Sequence, residues 1–232
     1  THCRPGCQNC AWQRPLYRRA VLGYCMTTFT IPAIAYWAPT YLYTTYGTEL
    51  AKANTIFGLL TVAAGLLGTA AGGSWADALA RKVQARLDGR AQALAPGEAP
   101  KVSDTALVHA ALKVCFVGAL LGTPLTLLAF LAPNATVFFA LGFAAELFLL
   151  LAQSPINTAL LRSVPEHLRA SAMAIAIFCI HLLGDLWSNP LVGHLADRFG
   201  MRAAVMVLPI ALGIAAAFWR VPEPAAGEPP LT

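Results

Sequence analysis

The chain has 232 residues, 57% of them hydrophobic and only 12% charged, with a net charge of +5 and a mean hydropathy of +0.60. Soluble domains carry roughly 25% charged residues, so an ordinary water-soluble globular protein is excluded. A disordered chain, which would be polar and highly charged, is excluded as well.

The first segment, residues 1–17, is a basic lead containing His2, Cys3, Cys7 and Cys10. Three thiolates and an imidazole meet the donor count of tetrahedral zinc, and the spacing resembles a radical S-adenosylmethionine cluster loop. The segment is terminal and brings no supporting structure, so no metal and no cofactor is assigned. Its first methionine is Met26, which predicts a processed chain or a piece of a longer one. Long charge-free stretches follow: 29 residues between Arg19 and Glu49, 24 between Lys52 and Asp77, and 32 between Lys113 and Glu146. About 20 apolar residues cross a bilayer as a helix. Charge gaps, prolines and turn residues together predict six spans, over Arg18–Tyr46, Asn54–Ala80, Thr105–Leu131, Asn134–Leu160, Leu168–His194 and Met201–Trp219. Residues 18–220 thus form one transmembrane domain of an integral, multi-pass, all-α membrane protein. Residues 81–104, charged and with Pro96, Gly97 and Pro100, read as an extramembrane loop, and 221–232 as a disordered tail. Cys25, Cys115 and Cys179 fall within spans and read as small hydrophobes.

Basic residues stay mainly on the cytoplasmic side. The lead, the 81–104 region with Lys113, the fourth-to-fifth connection and Arg220 hold 13 of them, while Lys52, Arg198 and Arg202 are left for the other face. Both termini are therefore placed in the cytoplasm, and the positive charge belongs to topology rather than to a nucleic-acid partner. Arginine outnumbers lysine 12 to 4, a composition that points to a bacterial inner membrane.

The second predicted span ends in Gly73-Ser-Trp-Ala-Asp77-Ala-Leu-Ala-Arg81-Lys82, and the fifth in Gly193-His-Leu-Ala-Asp197-Arg198. Both read Gly-x-x-Ala-Asp followed by basic residues, 120 positions apart, on spans of opposite sense. This predicts two inverted three-helix repeats, a plan common in transporters. The glycine lets helices approach. The aspartate can pair with an arginine or a helix N-terminus as a latch, or simply begin a charged loop.

The two segments resemble the paired loop motifs of the major facilitator superfamily. Further strings narrow the resemblance to its Spinster branch: Trp37-Ala-Pro39-Thr-Tyr41-Leu, Ile56-Phe57-Gly58-Leu59-Leu-Thr61 with Gly65-Leu-Leu-Gly68, and His181-Leu-Leu-Gly184-Asp185. These fall in family order, over about residues 18 to 220, where that fold's carboxy-terminal half carries them. The resemblance implies one half of a twelve-helix secondary transporter of lipid-like amphiphiles working by alternating access. Its partners would be a small, lysolipid-like substrate, membrane lipids, and either the absent amino-terminal six-helix half or a second copy. No nucleic acid is expected.

Ionisable groups at membrane depth are costly and mark function by default. Glu146 in the fourth span forms with Leu150, Gln153 and Asn157 an i, i+4, i+7, i+11 series, placing the polar members on one face. The resemblance puts Glu146 at an acidic position of the same helix. Such a carboxyl can load and release a proton as water access switches, or simply bond a neighbouring helix. His181 and Asp185 stand one turn apart with Ser188 on the same stripe. The pair can relay protons or hold a headgroup, or pin helix packing. Tyr36, Trp37, Thr40 and Tyr43 on the first span, beside Pro32 and Pro39, fit a bending helix that contacts an amphiphile. For Tyr41, Tyr43 and Tyr46 an interfacial belt is the simpler reading. Ala64, Gly68 and Gly72 on the second span read as a helix-packing stripe.

Two other functions compete. A six-span intramembrane hydrolase needs a Gly-x-Ser-Gly nucleophile and a helix-borne histidine, and Ser74, Ser154 and Ser171 lack that context. A non-transporting membrane subunit or assembly partner is the other. No enzyme activity is assigned.

Overall fold

A computed structural model describes residues 11–91 and 103–222. The cysteines at 3, 7 and 10, residues 92–102 of the expected loop and residues 223–232 of the expected tail lie outside them. Six helical rods are long and apolar enough to cross a membrane. The first is α1 (Pro15–Tyr46) and the second α2 (Leu50–Ala91), followed by α3 (Asp104–Phe130). The fourth is broken into α4 (Ala135–Leu150) and α5 (Gln153–Arg162). The fifth consists of α6 (Arg169–Ile180), a π-turn over His181–Asp185, and α7 (Leu186–Phe199). The sixth is α8 (Met201–Ala204) and α9 (Val207–Trp219). The spans lie where the charge gaps predict them. The second rod runs helically past the expected boundary at Ala80 to Ala91, so the first part of the expected loop is a helical extension.

Local chemistry sets the ends. Gly47 closes α1 in the left-handed region (φ 66°), a conformation that costs other residues a Cβ clash. Ser103 and Asn134 cap α3 and α4, each side chain accepting a backbone N–H from three residues ahead. Pro155 explains the break in the fourth rod. It has no N–H, so the carbonyl of Leu151, four residues earlier, loses its helical donor. That carbonyl turns onto α2 at Gly72, in space a side chain would fill.

Within lipid, apolar side chains gain little from burial against one another. Close packing and satisfied polar groups hold the helices instead. The inner layer shows both. A Cβ at position 68 would lie 2.6 Å from the Leu147 carbonyl oxygen, and one at 118 would lie 2.7 Å from that of Phe148, so α2 and α3 meet α4 backbone to backbone. At one end of the bundle Tyr41 donates to the Phe130 carbonyl (2.5 Å) and Tyr46 to that of Ala132 (2.6 Å), inside a cluster of rings with Phe138. Tyr17 donates to the Ala172 carbonyl (2.6 Å), and the Trp219 indole to that of Ala20 (3.3 Å).

The rods are unequally covered. In the apolar stretches of α2 and of the α6–α7 rod, 22% of residues are buried, against 39% to 50% in the other four. Leu59, Val62, Leu66 and Leu67 on α2, and Phe178, Leu183, Leu186 and Trp187 on α6–α7, stand exposed.

Candidate functional site

The groove between α1 and the α6–α7 rod is the larger of two described cavities that hold predicted site residues. It has a volume of about 520 Å³ and is lined by Pro32, Phe178, His181, Leu182, Asp185, Leu186 and Asn189. That volume lies within the usual 300–1,000 Å³ of small-molecule sites. Both walls are irregular at the same depth. Pro32 frees the Thr28 carbonyl of α1, and the opposing rod makes a π-turn, a local insertion frequent at functional sites. The two backbones touch there: a Cβ at Gly184 would lie 2.9 Å from the Cys25 carbonyl oxygen and 3.2 Å from Thr28 Cβ.

The π-turn carries the predicted pair. His181 Nδ1 donates to Asp185 Oδ2 at 2.8 Å, with the side chains 61% and 31% exposed. The carboxylate fixes which ring nitrogen carries the proton and leaves the other turned outward. Ser188 is buried and donates to the Asp185 carbonyl at 3.0 Å, so it pins the turn rather than offering a free hydroxyl. One turn along, Trp37 lies over Gly193, its Cζ2 only 3.2 Å from where a Cβ would stand. Neither Trp37 Nε1 nor Asn189 Oδ1 has a hydrogen-bond partner. Tyr36 packs edge-on against Trp37 at 5.1 Å and is 62% exposed. The groove therefore combines apolar walls with a polar strip at 181, 185 and 189, and the Tyr36–Trp37 pair is not among its lining residues.

Glu146 is elsewhere. It does not line the groove but is buried where α4 packs on α2, only 6% exposed, with the Thr61 hydroxyl beside it. Neither Glu146 Oε2 nor Thr61 Oγ1 makes a hydrogen bond of ordinary geometry. The polar series expected to share its face is divided by the break at 151–152. Gln153, beyond it, faces α1 and accepts from the Tyr24 hydroxyl at 3.3 Å, while Asn157 donates to the Gln153 carbonyl at 2.9 Å. The proline behind this division was visible in the sequence, but the series was counted through it.

The second repeated motif ends α7, whereas the first lies inside α2, which continues to Ala91. Gly73 meets the Ser154 hydroxyl, 3.1 Å from where its Cβ would be. Asp77 lines a second cavity, of about 260 Å³, with Ser154, Pro155 and Thr158 in the first turns of α5. No ion pair joins it to a described residue; Arg81 and Lys82 are exposed, as are Asp197 and Arg198 at the other motif. The ion pairs near this end were not foreseen. Asp104, in the first turn of α3, receives Arg162 at 3.2 Å and Arg169 at 3.1 Å, and Arg169 also pairs with Glu166 at 3.3 Å. Only the fold brings these together; the available sequence signal was an acidic residue just after a capping serine. Among the described residues, no three His, Cys, Asp or Glu side chains converge in a way that could hold a metal ion.

No family model matches the chain. Two Arabidopsis thaliana proteins named "Probable sphingolipid transporter spinster homolog 2" and "homolog 3" are each 32% identical to it, over 89% and 86% of this chain. The aligned stretch spans 37% and 34% of those relatives' own length, so the chain matches little more than a third of each. In structure it is similar to a bacterial homolog of the human lysosomal transporter Spinster, crystallised inward-facing and unoccupied. That match has a TM-score of 0.68 and 17% identity, and covers 94% of this chain and 51% of the other. The chain is a Spinster-like member of the major facilitator superfamily. It is all-α, with six membrane-spanning helices that make up one half of that superfamily's twelve-helix fold. Its relatives are transporters and not enzymes, which sets the hydrolase reading aside. The covered share of each relative fits a missing half.

Proposed function

We propose that this Spinster-like domain serves as the carboxy-terminal half of a secondary transporter that moves a lipid-like amphiphile by alternating access. The observation that carries this reading is the α1/α6–α7 groove. Phe178, Leu182 and Leu186 give an aliphatic chain an apolar wall, and His181, Asp185 and Asn189 give a polar head its bonds. Tyr36 and Trp37 lie further along α1, and the prolines at 32 and 39 would let that helix bend towards a bound chain. The head would meet the His181 ring through the nitrogen that its bond to Asp185 leaves free.

Glu146 is the proton-coupling group in this reading, with Gln153 and Asn157 continuing the polar path across the break. Transport is then proton symport. Asp77, facing the start of α5, is the latch of the first motif, and Gly193, Asp197 and Arg198 form its counterpart at the opposite face. By the distribution of basic residues, the Asp77 end and both termini are cytoplasmic and the membrane is a bacterial inner membrane.

Joining the chain to an amino-terminal six-helix half, or reconstituting it as two copies, should give saturable uptake of a fluorescent lysolipid into vesicles. Glu146→Gln should flatten the pH dependence of that uptake. Unchanged pH dependence removes Glu146 from coupling. Asp77→Asn should slow turnover while leaving substrate affinity within about twofold; equal turnover removes the latch. Absence of uptake in every pairing favours a non-transporting subunit.

A further inference from the structure

A hydroxyl on a membrane helix has a default partner, the carbonyl one turn back. Thr27, Thr28, Thr30, Thr44, Thr55 and Thr123 all take it, donating to the fourth residue before them at 2.7 to 3.3 Å. Thr61 does not. Its Oγ1 is out of contact with solvent, has no hydrogen-bond partner of ordinary geometry, and stands beside the Glu146 carboxyl across the α2/α4 seam. Glu146 Oε2 is buried and unpartnered too. Two orphaned polar atoms side by side in an apolar layer are a costly arrangement. Such a cost persists where the surroundings hold both groups in place.

The seam does hold them. On α2, Gly68 and Gly72 accept the α4 backbone at distances that permit no side chain, and Thr69 donates to the Leu150 carbonyl at 3.4 Å. Thr61 lies two turns before Thr69 on the same helix, where the seam ends in a carboxyl instead of a carbonyl. Among the described residues, α4 packs against α1, α2 and α3, and the only polar side chain acting on the carboxyl is Thr61. No ionisable side chain of the three pairs with it. A carboxyl with no cation at hand must change its proton occupancy against a single neutral neighbour. A hydroxyl is the group that serves both forms, being one donor and two acceptors that rotate to suit.

We infer that Thr61 is the positioning residue of Glu146, accepting a hydrogen bond from the carboxylic acid when the proton is bound and donating one to the carboxylate when it is not. In the protonated form the Thr61 hydrogen turns back to its default carbonyl, that of Phe57, so no donor is left unused. In the ionised form it turns to Glu146. The proton exchanged is the one on Glu146; Thr61 only reorients. This rests on Glu146 being the coupling group, and it adds that the seam between α2 and α4 reads the state of that group through one hydroxyl.

The test is infrared difference spectroscopy of the purified 232-residue chain in lipid nanodiscs, stepped between acidic and alkaline pH. A carboxylic C=O band absent from Glu146→Gln should move to higher wavenumber in Thr61→Val and Thr61→Ala, as expected for an acid that has lost its acceptor. It should return to the parental position in Thr61→Ser. A Glu146 band at the same position in all three variants overturns the assignment, as does the absence of any Glu146-dependent band at every pH. Both results are independent of uptake, so the assignment can fail while Glu146→Gln still flattens the pH profile of transport. Conversely, a Thr61-sensitive band can survive a pH profile that Glu146→Gln leaves unchanged, and then Thr61 tunes a buried acid that does not couple.

Discussion

The two acidic sites of this bundle are built on opposite principles. At the α1/α6–α7 groove, Asp185 has its partner, is reached by water and sits on a backbone loosened by a proline and a π-turn. At the α2/α4 seam, Glu146 lacks a charged partner, is shielded, and sits where glycines press two backbones together. The first arrangement can change shape cheaply and exchange ligands. The second can change neither shape nor solvent contact without moving a helix, which is why the proposed coupling is assigned to it.

The sharpest way to break this contrast is to remove the closeness of the seam. Gly72→Val puts a side chain where the Leu151 carbonyl stands, and overpacking of this kind costs about 1–3 kcal/mol or more. It should abolish monodisperse protein on size-exclusion chromatography. Gly58→Ala on the same helix meets nothing within 4 Å and should leave the profile unchanged. A tolerated Gly72→Val would mean that the seam is loose and that the contrast is false. A smaller loss, about 1–2 kcal/mol, is expected for Gly184→Val, seen as a lower Tm in detergent, since a Cβ there meets α1 at 2.9 Å, less closely than one at Gly72 meets the Leu151 carbonyl. Removing Asp104 should cost about 1 kcal/mol, because both its arginines are partly solvated. Asp104→Asn should lower Tm by a margin that shrinks as salt is raised. Least of all, Asp185→Asn should leave Tm nearly unchanged, since an ion pair this exposed stabilises little. A large fall in Tm would make that pair a packing element, as the simpler sequence reading allowed.

Much of the fold was legible because lipid leaves so few options. Charge gaps, prolines and turn residues locate all six spans, and Gly193 and Asp197 stand near the end of α7 where the motif places them, whereas Gly73 and Asp77 lie inside a rod that runs on to Ala91. His181 and Asp185 do meet, since four residues along a helix is a local relation. What sequence could not supply was anything depending on which face meets which neighbour. Pro155 signalled a break, but not that Leu151 would turn onto Gly72. Thr61 was one polar residue within a recognisable string, with no local sign that it faces Glu146. Asp104, Arg162 and Arg169 come from three separate elements. The tyrosines at 41 and 46 were read as an interfacial belt, yet their hydroxyls are spent on the carbonyls of Phe130 and Ala132.

Those two tyrosines have a further consequence. They tie the tip of α1 to the turn between α3 and α4, so three rods share one knot at the end of the bundle away from Asp104. A bundle knotted at one end behaves as a tripod whose feet spread only at the other. Of the three rods outside the knot, α2, α6–α7 and α8–α9, the first two have the most bare apolar surface. Glu146 and the His181–Asp185 pair thus each lie where one of these two bare rods packs against a rod of the knotted three.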